Sequence, residues 1–179
     1  MRRYVYIAVT LAVVAVLAAA APISTAPSNP ADELALLTAT SRFHVQLGDL
    51  LTMNGRFDLA RREYAAAANL ARAKGYLPAE ELRRIANTYY FEQNYTNAMA
   101  VLEGFAREAG SLGEAEMQVW ALADAAWIAG LDNDEELMER YLERVEGLLD
   151  THELPGARYK IRTGFMRNFT VFAPHLPSW

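Results

Sequence analysis

The chain of 179 residues contains no cysteine. That excludes disulfides, thiolate metal sites, a cysteine nucleophile and a lipid-modified N-terminal cysteine. Glycine and proline are few, 10 and 7. Charged residues make up 22% against 53% hydrophobic, the composition of a chain that buries a core, not of a disordered or low-complexity one. The length suits one domain with a short appendage and leaves no room for a second large catalytic domain.

Acidic residues are absent from both ends. All 22 lie between residues 31 and 154, alongside 11 basic ones. The first 30 residues carry only Arg2 and Arg3, and residues 155–179 only Arg158, Lys160, Arg162 and Arg167. So acidic a body repels a phosphate backbone, whose binding depends on basic groups releasing counterions, and nucleic acid is not an expected partner.

Motifs that carry chemistry are also lacking. There is no glycine-rich phosphate loop, and Gly110, Ser111 and Gly113 do not make a nucleophile elbow. His44, His152 and His175 are far apart, and His152-Glu153 runs into Leu154-Pro155, which bars a zinc helix. Asp132, Asp134, Glu135 and Glu136 lack the glycine and spacing of a calcium loop; they suit a helix start, where negative charge offsets the dipole. The expectation is no catalytic residue, no cofactor and no metal. Asn94-Tyr95-Thr96 and Asn168-Phe169-Thr170 are glycosylation sequons, meaningful only in a host that uses them.

An uncharged apolar stretch runs from Tyr4 to Ala21 behind Arg2 and Arg3. Eighteen apolar residues at about 1.5 Å each span roughly 27 Å, enough to reach across a hydrocarbon core. Ala18 and Ala20 have the small-x-small spacing that signal peptidase reads, and Pro22 breaks a helix soon after. Residues 1–21 are thus either a cleaved signal peptide or a retained membrane anchor. Both leave the arginines cytoplasmic and place the rest of the chain outside the cytoplasmic membrane. Residues 22–31 are expected to form a linker.

From Asp32 onward apolar residues recur at helical spacing. Leu47, Leu50, Leu51 and Asn54 form one stripe, and Phe57, Ala60, Tyr64, Ala67, Ala68 and Ala71 the next, with Gly55 at the turn between them. Leu82, Ile85, Ala86, Tyr89 and Tyr90 precede a turn at Gln93 and Asn94; Tyr95, Ala98, Met99, Leu102, Phe105 and Ala106 follow it. Met117, Trp120, Ala123 and Trp127 lead to Gly130, after which come Leu137, Tyr141, Leu142, Val145, Leu148 and Leu149. This predicts an all-α fold of three helical hairpins over residues 32–154. Aligning them matches Gly48, Ala86 and Ala123 in the first helices and Ala60, Ala98 and Leu137 in the second, the signature of an internal repeat. A non-repetitive helical bundle is the alternative. Residues 155–179 are expected to supply a capping helix, with Pro155 at its start and Ala157, Ile161 and Phe165 on one face, followed by a tail. Alternatively the four basic groups there, interleaved with Tyr159, Phe165, Phe169 and Phe172, dock on an acidic partner or anionic lipid.

The run LGDLLTMNGRFDLARREYAAA resembles a tetratricopeptide repeat, with Leu47, Gly48, Leu51, Gly55, Phe57, Ala60, Tyr64 and Ala67 at the family's signature positions. RIANTYYFEQNYTNAMAVLEGF matches through Ile85, Ala86, Tyr89, Tyr95, Ala98 and Leu102. LADAAWIAGLDNDEELMERYLERV matches with a turn about two residues longer and Leu137 where the family prefers alanine. The resemblance covers residues 40–150 and implies a solenoid of helical hairpins whose first helices line a concave groove that holds a peptide. By position the groove would take Arg42 and Asp49 from the first repeat, Arg83, Asn87, Tyr90 and Phe91 from the second, and Trp120, Asp124 and Trp127 from the third. Family members that clamp a C-terminal carboxylate carry lysine and asparagine where this chain has Val45 and Asp49. The expected function is protein–protein interaction by an exported or membrane-anchored scaffold. The alternatives are a small-ligand binder with a closed apolar pocket behind Tyr90 and Trp127, and an enzyme of unrecognised type.

The export expectation has a direct check. Residues 1–30 fused to a reporter active only outside the cytoplasm should give activity, and its absence would refute the reading. An N-terminus near Ala21 identifies the signal peptide, and an intact Met1 or Arg2 in membranes the anchor.

Overall fold

The structure is a computed structural model and describes residues 29–154. The expected signal or anchor segment, most of the linker, and the expected capping helix and tail lie outside the described residues. Contacts divide the chain into residues 1–35 and residues 36–179, and all of the helices but the start of the first belong to the second unit.

Six helices follow one another: α1 (Pro30–Met53), α2 (Phe57–Ala73), α3 (Ala79–Phe91), α4 (Tyr95–Ser111), α5 (Ala115–Leu131) and α6 (Glu135–Thr151). There is no strand among the described residues. Each helix from α2 to α6 packs on the next, and α3 also touches α5. Contacts of Gly48, Asp49 and Thr52 with Tyr64 join α1 to α2. The arrangement is three hairpins, α1–α2, α3–α4 and α5–α6.

The connections share one geometry. At the end of α3, Glu92 is the last half-helical residue and Gln93 takes a φ of 58°. The Gln93 N–H bonds to the Tyr90 carbonyl and the Asn94 N–H to the Tyr89 carbonyl, both 2.9 Å. These are the paired bonds of a Schellman motif, which satisfies carbonyls a helix end leaves open. Residues 54–56, 112–114 and 132–134 repeat it, with Gly55, Gly113 and Asn133 in the left-handed conformation. Gly75 does the same after α2, although that connection runs on through Leu77 and Pro78. In the three-residue connections the residue closing one helix is also the N-cap of the next. Asn94 and Asp134 fill both roles, their side chains accepting from the Asn97 and Leu137 N–H groups.

Equal connections correct the register expected for the third hairpin. Its turn is not longer than the others, and Phe57, Tyr95 and Glu135 open the second helices. Met138, buried, therefore occupies the place of Ala60 and Ala98, while Leu137 beside it is only partly buried. Counted back from Met53, Phe91 and Leu131, the counterpart of Gly48 and Ala86 is Ala126, fully buried, and not Ala123. Asn133 in the left-handed position explains the difference, because no glycine marks that turn.

The core centres on α4, α5 and α6. Val119, Ala121, Leu122, Ala123, Ala125, Ala126, Ile128 and Ala129 bury nearly every side of α5, as expected of a helix enclosed by neighbours. Tyr64, Leu102 and Tyr141 are buried as expected, but Tyr64 packs within the first hairpin against Gly48, Asp49 and Thr52, and in the corrected register the place of Tyr64 and Leu102 falls to Leu142, which is only partly buried. One expected core residue is not: Leu50 is 58% exposed, because α1 turns Ser41 and Gly48 inward instead.

The close approach of α1 to α2 is set at Gly48. A Cβ there would lie 2.5 Å from Tyr64 Cε1. The ring has little freedom to yield, because its hydroxyl donates to Asp49 at 2.8 Å and meets Thr52 Oγ1 at 3.1 Å. Gly48→Leu should therefore lower stability by about 1–3 kcal/mol through overpacking. Gly104→Ala, in the interior of α4 with nothing within 4 Å of the added Cβ, should raise it by roughly 0.5–1 kcal/mol. Denaturant midpoints moving in the same direction for both would refute the assignment. Gln93→Gly should also stabilise, by about 1 kcal/mol, on relieving a left-handed non-glycine residue; a lower midpoint would contradict the strain.

Candidate functional site

The candidate residues lie on the first helices α1, α3 and α5, and equal connections allow them to be set in register. Counted from the helix ends, Asp49, Asn87 and Trp127 share one level, Gln46, Arg84 and Asp124 the next, and Arg42, Glu80 and Trp120 a third.

Charge pairs cross from helix to helix along this face. Arg83 Nε donates to Asp124 Oδ2 at 2.9 Å, linking α3 to α5. Arg84 Nε lies 3.3 Å from Asp49 Oδ1, linking α3 to α1, without the alignment of a hydrogen bond. Two adjacent arginines on α3 thus reach in opposite directions, one to each neighbouring repeat. Burial pushes the Asp124 carboxyl above its ordinary value, with Arg83 pulling the other way by charge and hydrogen bond. Burial likewise raises the Tyr64 phenol; Thr52 lowers it, and the Asp49 carboxylate that accepts its proton raises it further. The hydroxyl therefore stays a donor and holds Asp49 toward Arg84.

Aromatic rings form a second group. Tyr90 is half-buried, its ring centroid 5.3 Å from that of Trp127 and 5.6 Å from that of Phe91. Phe91 is 56% exposed and stacks on Phe57 at 6.1 Å with an interplanar angle of 26°. The cluster bridges all three hairpins and offers flat apolar surface. Tyr90 and Trp127 meet directly, ring on ring.

Arg42 and Asn87 are exposed and drawn into neither group. Trp120 is half-buried, its indole N–H donating to Glu116 Oε1 at 3.4 Å on the same helix. Ile128, the chain neighbour of Trp127, belongs to the core.

Sequence reasoning missed the charged contacts that the second helices make with their neighbours. Arg72 makes a two-pronged bond to Glu108, 2.7 Å on each arm, which holds the Glu108 carboxyl below its ordinary value. Arg144 meets Glu103 at 2.5 Å. Arg61 lies 4.2 Å above the Tyr89 ring and donates to Glu92 at 2.6 Å. The separation of such partners, 36 residues for Arg72 and Glu108 and 41 for Arg144 and Glu103, is close to one repeat. Opposite charges recurring at the repeat period are the signal that could have found them. Around Arg61, with Asp58, Arg62 and Tyr89, lies an open depression of about 600 Å³ between α2, α3 and α4.

Among the described residues there is no group of three His, Asp or Glu side chains able to hold a metal, and no helix long and apolar enough to cross a membrane. No protein-family model matches the chain, and no curated protein matches it.

Proposed function

We propose that the chain is an exported or membrane-anchored helical-repeat scaffold of the tetratricopeptide kind, which binds another protein or peptide along the face formed by α1, α3 and α5. The observation that carries this reading is the continuity of that face. Asp49, Arg84, Arg83 and Asp124 form a row across the three hairpins, with two arginines on α3 flanked by a carboxylate from α1 and one from α5, and the Tyr90, Phe91 and Trp127 rings lie on α3 and α5. Aromatic and arginine side chains dominate the energetics of protein interfaces. The paired charges are already oriented, so a partner does not have to order them.

An extended partner suits this face better than an enclosed small ligand. Tyr90 and Trp127 pack on each other at 5.3 Å between ring centroids, and the depression near Arg61 is open and charged at its rim. The acidic body, with twice as many acidic as basic residues over 31–154, favours a partner segment that carries basic groups or is neutral.

Arg42 and Asn87 give the cleanest test, because both are exposed and their side chains make no hydrogen bond or ion pair among the described residues. Replacing both with alanine in the full-length chain should weaken partner capture from the native envelope by at least about 2 kcal/mol, as for hot-spot truncation, with the unfolding midpoint retained. Undiminished capture by the folded double variant would remove the partner from this face.

A further inference from the structure

Helix α1 carries apolar residues on both sides. Toward the rest of the domain it turns Ser41 and Gly48, which are buried, Asp49 and Thr52, which are bonded to Tyr64, and the half-buried Leu47 and Leu51. Its outward side carries large apolar ones, with Leu36 67%, Phe43 55%, Leu50 58% and Met53 83% exposed. Leu36, Phe43 and Leu50 are spaced seven apart, and Ala39, Gln46 and Met53 fall at the intervening positions. Apolar residues at every seventh position with a second set between them form the seam along which two helices supercoil. A helix packed only on its own domain would carry such side chains inward.

From this seam we infer that α1 pairs with α1 of a second copy of the chain, in an isologous dimer joined through Leu36, Phe43, Leu50 and Met53. The seam is its own complement. Phe43 lies midway between Leu36 and Leu50, so a two-fold axis across the helix at Phe43 sets Leu36 against Leu50 in an antiparallel pair, and one along the seam sets each residue against its own copy in a parallel pair. From Leu36 to Met53 the only residues of fixed charge are Arg42 and Asp49. Asp49 is already held by Arg84 and Tyr64, and His44 is turned to Glu63 at 2.6 Å. Little charge therefore has to be stripped of water. With on the order of 170 Å² for each fully exposed side chain, the four present roughly 450 Å² per chain and about 900 Å² in a pair, just short of the about 1,000 Å² that a specific interface needs, and Ala39 and Gln46, both exposed between them, supply the remainder. Repulsion between two acidic bodies opposes pairing, and salt screens it.

The test uses the full-length chain in mild detergent, with protein mass read by sedimentation at tens of micromolar. The expected mass is that of two chains, with tighter association as salt rises. Phe43→Glu with Leu50→Glu should raise the dissociation constant at least about 100-fold while helical signal and unfolding midpoint are kept, since both side chains are more than half exposed. A monomeric wild type, or a double variant that still dimerises, overturns the inference. The absence of cysteine allows a second readout that does not depend on those variants. Phe43→Cys, as the only thiol, should cross-link to a dimer on mild oxidation, whereas Ala100→Cys, exposed on α4, should not. Leu36→Cys cross-linking to itself marks a parallel pair; cross-linking only when mixed with Leu50→Cys marks an antiparallel one. Failure of all three seam thiols to cross-link excludes the interface.

Discussion

The structure depends on one backbone device, the left-handed residue that ends a helix. At Gly55, Gly75, Gln93, Gly113 and Asn133 the chain takes positive φ, and the paired N–H bonds there close the helix behind it. Four of these devices complete the whole connection in three residues, the turns within all three hairpins among them. That uniformity turns separate amphipathic helices into a repeat. It fixes which residues of α1, α3 and α5 stand level with one another, and hence which side chains meet across hairpins.

Within that frame the apolar core and the charge pairs do different work. The alanine-rich α5 lets α4 and α6 each pack closely on it, and Leu102, Phe105, Tyr141 and Val145 are buried in the core they share. Burial of such side chains contributes roughly 1.5–3 kcal/mol each, whereas an ion pair open to water is worth about 0–1 kcal/mol. Arg83 with Asp124 and Arg72 with Glu108, each on the solvent side of a contact, therefore align neighbouring hairpins more than they hold them together. On the α1–α3–α5 face the pairs of Arg83 with Asp124 and Arg84 with Asp49 set two arginines between two carboxylates, so contacts that align the stack also set the charge pattern of that face.

Helix existence was legible in the sequence wherever apolar residues kept a 3.6-residue period on one side, as in α2 and α4. It failed in two informative places. At the third turn Leu137 and Met138 are adjacent and both apolar, so the pattern tolerates a shift of one, and Asn133 gives no glycine to fix it. In α1 apolar residues occupy both sides, and a periodicity argument assigns Leu50 to the core with Leu47 and Leu51 when it faces outward. The candidate face was legible as a set of positions on the first helices. The division within it was not: Tyr90, Trp127, Arg83 and Asp124 are engaged across hairpins, while Arg42 and Asn87 are exposed.

By itself the sequence determined the helices, the caps and glycines at most of their ends, and the near-repetition of one hairpin, because these follow from local spacing and backbone preference. Only the tertiary structure decided the register of the third hairpin, the partners of Arg61, Arg72, Arg83, Arg84 and Arg144, and which side of α1 meets the rest of the chain. Those depend on contacts between residues about one repeat apart. Several pairings there have nearly equal local energy, and the packing of whole helices selects one of them.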